Sequence, residues 1–248
     1  MNDNLPLYLD NIVKNYLELL NEQGLNREGK QIEELVKYVD KMEVQFDELL
    51  SEIKEIRTTL ETIQNPQTKS VMRKTMDSIE SVVVKGKQEI QNIKAHIKTT
   101  IYNAVDTFKD KGKQALVSST KVLKIKPALE SVRKALFFVS HSLDKSIMKT
   151  NELTSEFRRA KQSFKNIGLL MVGKQPNNNM DTSKVNGIQK GLRGMKEKSE
   201  NMIARTSGAI QKVDKFQKSS VRNDLKKISS NDKSKTSIPQ KSKENQLR

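Results

Sequence analysis

Few residues in this chain have the type and spacing that chemistry requires. His96 and His141 are its two histidines; one adjoins Ile97 and the other follows Ser140 near Leu143. Neither stands in an HExxH or other paired-ligand spacing, so neither predicts a metal site. The chain has no cysteine, which excludes disulfides, thiolate ligands and thiol nucleophiles within it. Gly112-Lys-Gln and Gly173-Lys-Gln lack the upstream glycine spacing and the hydroxyl residue of a phosphate-binding loop, and no GxSxG elbow occurs. Catalysis needs preorganised acid, base or nucleophile pairs. The sequence offers none, and it predicts no enzyme, no catalytic residue, no cofactor and no small-molecule substrate.

The second chemical candidate is positive charge. Lys121, Lys124, Lys126, Arg133, Lys134, Arg158, Arg159, Lys161 and Lys165 form a basic run, and Arg193, Lys196, Lys198, Lys212 and Lys215 continue it. Such side chains neutralise phosphates with salt-dependent affinity. No helix-turn-helix, zinc finger, basic-zipper order or aromatic stacking surface accompanies them, so base-specific recognition is not predicted. The net charge of +16 is also uneven. Residues 1–64 hold 7 Lys+Arg against 14 Asp+Glu, residues 65–172 hold 21 against 9, and residues 173–248 hold 18 against 7. An acidic arm therefore precedes a basic remainder. The basic part is free to meet an anionic partner or to meet that arm.

The elements that position these residues are legible from apolar spacing. Ile32, Leu35, Val39, Met42, Phe46, Leu49, Ile53, Ile56, Leu60 and Ile63 alternate steps of three and four. That is the spacing of a helix packed along its length against another helix. Glu33, Glu34, Asp40, Glu43, Asp47, Glu48, Glu52 and Glu55 lie between them, which places these carboxylates on outer faces. A shorter helix is expected over 5–21, the ladder helix over 27–64, and a third helical region over 67–124 with possible bends at Gly86 and Gly112. Pro127 opens a fourth helix reaching about 171, and its Leu136-Phe-Phe-Val139 run is the expected centre of the core.

Residues 1–172 are thus read as a helical bundle or coiled-coil domain, and 173–181, with Pro176 and three Asn, as a linker. Residues 182–218 carry a further stripe, Val185, Ile188, Leu192, Met195, Met202, Ala209, Val213 and Phe216, with Ser199 and Thr206 in the missing places. Four glycines weaken this segment as an isolated helix, so it is expected to fold against a partner or a surface. Residues 219–248 are Lys- and Ser-rich and are expected to be disordered. The fold class is all-α: long amphipathic helices in an antiparallel bundle or coiled coil, with a partly disordered basic C-terminal region. No stretch approaches 18 consecutive apolar residues and the N-terminus has no secretory pattern, so a cytoplasmic location is expected.

In its Asn/Lys/Ile-rich style, in Asn11-Ile-Val-Lys-Asn-Tyr16 and in the acidic stretch that follows, the chain resembles uncharacterised helical accessory proteins of Gram-positive bacterial mobile and conjugative elements. That resemblance implies a bacterial accessory protein and assigns no functional residue. The leading reading is a non-catalytic helical scaffold or interaction protein that binds another protein or itself as an oligomer. The alternative is a nonspecific nucleic-acid-associated protein whose third to fifth helices and tail hold phosphates. A further alternative is binding to a membrane surface through 182–218, where cationic residues flank the stripe.

Overall fold

The computed structural model of the protein describes residues 5–62, 66–122, 125–168 and 182–233. Every regular element in these residues is helical. A 3₁₀ turn, Leu7–Leu9, leads into α1, Asn11–Glu22. The expected single helix over 5–21 is therefore divided at Asp10, whose carboxylate accepts the Ile12 amide as an N-cap. Then come α2, Asn26–Glu61; α3, Pro66–Lys111; α4, Lys113–Val122; α5, Lys126–Gly168; and α6, Thr182–Lys233.

Four long helices close into a ring: α2 packs on α3, α3 on α5, α5 on α6, and α6 back on α2. Each neighbour runs antiparallel. Along α2 and α3, Glu61 pairs with Lys69 near the connection and Glu43 with Lys94 further from it. Along α5 and α6, Asp144 pairs with Lys196 and Lys126 with Asp214. Long apolar stripes facing one another give this up-and-down bundle its order.

The α2 ladder faces the core. Ile32, Val39, Met42, Phe46, Leu49, Ile53, Ile56 and Leu60 are all buried. Leu35 is half-buried beside the fully buried Val36, because this part of α2 also packs on α1 and the 3₁₀ turn and its stripe broadens there. Ile63 lies outside the described residues. Burying a side chain of this size is worth about 1.5–3 kcal/mol, so the ladder carries a substantial part of the fold.

Two expectations are corrected, at Gly86 and at the Leu136–Val139 run, and the expected bend at Gly112 is present. Gly86 is no bend: α3 passes through it unbroken, and the Phe46 ring lies against it. Gly112 does break the chain, with φ of +53°, and separates α3 from α4. Phe137 and Phe138 are 55% and 47% exposed, so the Leu136–Val139 run is not a core centre; only Leu136 and Val139 point inward.

The segment expected to need a partner finds it inside the chain. The α6 residues Ile188, Leu192, Met195, Met202 and Ala209 are buried in the bundle, as are Ser199 and Thr206. Their hydroxyls donate to the Met195 and Met202 carbonyls, so neither is left unsatisfied. These members of the stripe are occupied by packing, Val213 is half-buried, and the side chains of Val185 and Phe216 lie outside the described residues. Helix α6 runs to Lys233; the side chains from 216 onward, the proposed linker 173–181 and residues 234–248 lie outside the described residues.

Candidate functional site

The acidic arm meets its counter-charge inside the molecule. On the α3 side of α2, Arg57 pairs with Asp77 and Glu80, Glu61 with Lys69 and Arg73, Asp47 with Lys87, and Glu43 with Lys94. On the α6 side, Lys198 reaches both Glu48 and Glu52, and Lys212 reaches Glu34 at 2.7 Å. The hydrogen bond that Lys198 donates to Glu52 holds its ammonium above the usual lysine range. Hydrogen bonds from Lys69 and Arg73 hold the Glu61 carboxyl below the usual carboxylate range. Most of these pairs are solvent-exposed and individually worth about 0–1 kcal/mol. Their joint effect is to fix which helices flank α2.

Asp40 stands apart from the other α2 carboxylates. It is buried, and its two oxygens accept the backbone amides of Leu7 at 2.8 Å and Tyr8 at 3.1 Å. The spacing of α2 puts it on an outer face; instead it pins the N-terminal turn onto α2. At the same end, the Tyr16 hydroxyl shares a hydrogen bond of 2.7 Å with Ser119, joining α1 to α4.

Of the residues expected to hold phosphate, the four whose side chains are described do not converge. Lys126 is engaged by Asp214 at 2.7 Å. Arg133 is half-buried, and Lys134 and Arg159 are exposed. The interval from Lys126 to Arg159 spans roughly 50 Å of helix at 1.5 Å per residue, so these four are strung along α5 rather than gathered. Lys124 lies outside the described residues, as do the side chains of Lys121, Arg158, Lys161 and Lys165. His96 and His141 are exposed, and among the described residues no three His, Cys, Asp or Glu side chains are grouped as a metal requires.

Two surface features were not legible in the sequence. The first is a ridge along the outside of α5, where Lys134, Phe137, Phe138, His141, Lys145 and Met148 recur at helical spacing and are all exposed. Its apolar members are large, with Met148 62% exposed, and Lys134 and Lys145 form no ion pair among the described residues. The second is a groove of about 560 Å³ between α2 and α6, floored by Ile32, Ile125 and Ala209. Leu35, Tyr38 and Val213 form its half-buried walls, and Arg27, Glu34, Arg205, Lys212 and Lys215 its exposed rim. Among the described residues, no helix is long and apolar enough to cross a membrane.

Fold and surfaces together define an antiparallel helical bundle whose long stripes pack inside one chain. Over residues 10–246 the sequence matches the model of a family of unknown function, DUF6674. The chain belongs to that family. A search of curated proteins finds no match.

Proposed function

We propose that the chain is a non-catalytic interaction protein, a bundle that presents the α5 ridge to a protein partner. The observation that carries this reading is the exposure of Phe137, Phe138 and Met148 on one helix whose inner face is already packed. Contiguous exposed apolar side chains mark interaction sites more often than chance surface, and aromatics are favoured as interface anchors. Lys134 and Lys145 beside them, which form no ion pair among the described residues, suit a partner surface that is apolar at its centre and carries carboxylates at its edge. The engagement of basic α3 and α6 side chains by α2 carboxylates supports this reading over general phosphate binding. The mobile-element resemblance supplies only a setting, that of a bacterial accessory protein.

A photo-crosslinking residue in place of Phe138, combined with light scattering, tests the proposal. A dimer that becomes a monomer in Phe137→Glu/Phe138→Glu supports self-association through the ridge. A monomer that cross-links at 138 to one discrete protein, with the adduct lost in Phe137→Glu, supports a different partner. Circular dichroism of both variants should show unchanged helicity, since neither side chain is in the core. A monomer without a discrete adduct overturns the reading.

A further inference from the structure

We propose that the groove between α2 and α6 is a binding site for a single-chain anionic amphiphile, an alkyl chain ending in a carboxylate or phosphate. The proposal stands on different residues from the α5 ridge and does not depend on it.

Polarity is sorted by depth. Ile32, Ile125 and Ala209 at the bottom are 2%, 2% and 8% exposed, so the deepest part offers only hydrocarbon. Tyr38 lines the groove, and its hydroxyl donates to Thr206 Oγ1 at 3.0 Å. Burial pushes that phenol up to about 12, so it stays neutral at physiological pH. The rim is different. It carries four cations against one carboxylate, and Lys212 is already matched with Glu34. Arg27, Arg205 and Lys215 form no ion pair among the described residues. An apolar floor beneath a rim with three cations unpaired among the described residues is complementary to an alkyl chain with an anionic head.

Two further observations point to an occupant. Gln31 lines the groove, and its Oε1 is buried with no hydrogen-bond partner among the described residues. A buried amide oxygen without a partner is costly; Gln31 Oε1 accepts from a water that accompanies the head, while its Nε2 donates to an anionic oxygen. Gly208 also lines the groove, and a Cβ placed there would meet nothing within 4 Å. The volume falls in the range of small-molecule pockets. A partner helix, about 10 Å across, is a poorer fit for it.

Calorimetric titration of the full chain with decanoate, decyl phosphate, 1-decanol and inorganic phosphate tests the assignment. One saturable site is expected for each alkyl anion, at least about tenfold tighter than 1-decanol. Inorganic phosphate should not saturate it. Arg205→Glu, an exposed change, should weaken decanoate about tenfold or more. Gly208→Leu should abolish binding by filling the groove, with helicity retained in both variants. A preference between the two heads supports the proposal and identifies the head. Equal affinity for 1-decanol, inorganic phosphate binding as tight as decanoate, many sites that persist in Gly208→Leu, or no saturable heat from either alkyl anion would each overturn it.

Discussion

The edge of the Phe46 ring fills the space where a side chain at Gly86 would stand: a Cβ there would lie 2.7 Å from both Cε1 and Cζ. The smallest residue of α3 thus faces the largest of the α2 ladder. Gly86→Ala should gain about 1 kcal/mol in helix propensity, yet it must displace a fully buried ring. Overpacking typically costs about 1–3 kcal/mol, so net destabilisation is expected in urea unfolding. Phe46→Leu should recover part of that loss when combined with Gly86→Ala. A more stable Gly86→Ala protein would show that the ring moves aside freely.

Asp40 supplies the second prediction. Asp40→Ala leaves the Leu7 and Tyr8 amides without their acceptor, at a cost of about 1–3 kcal/mol. Hydrogen exchange at those two amides should accelerate while the middle of α2 stays protected. Equal acceleration along α2 would mean that Asp40 supports the helix rather than the turn.

Alkaline pH supplies the third. Burial pushes both Tyr16 and Tyr38 up to about 12 from an ordinary value of 10. Between those values the folded chain holds phenolic protons that the unfolded chain has released. The stabilisation is therefore complete below pH 10 and disappears as pH rises towards 12. Each tyrosine contributes on the order of 2 kcal/mol to this loss. Urea unfolding at pH 9 and pH 11 should show the decline, and Tyr16→Phe/Tyr38→Phe should flatten it. An unchanged decline in that double variant would assign it to other groups.

The α2 ladder was readable because a repeated step of three and four places residues on one side of any helix, whatever lies opposite. Gly86 was misread for the complementary reason. Its helix cost is local, whereas the Phe46 ring that suits it belongs to a helix 40 positions earlier. The Leu136–Val139 run misled because adjacent residues on a helix point about 100° apart, so four apolar neighbours cannot all face inward. Asp40 looked like its acidic neighbours until the N-terminal turn folded over it. The groove needed the register of α2 against α6, which no local pattern carries.

The pairing of α2 with α6 also sets a schedule for the chain's birth. Tyr38 waits for Thr206, 168 residues downstream, an interval of roughly 10–30 s at about 5–20 residues per second of synthesis. Until then one flank of the α2 ladder has no cover from its own chain. The nascent protein is most prone to wrong pairing late in translation, and its last long helix acts as the closing stave.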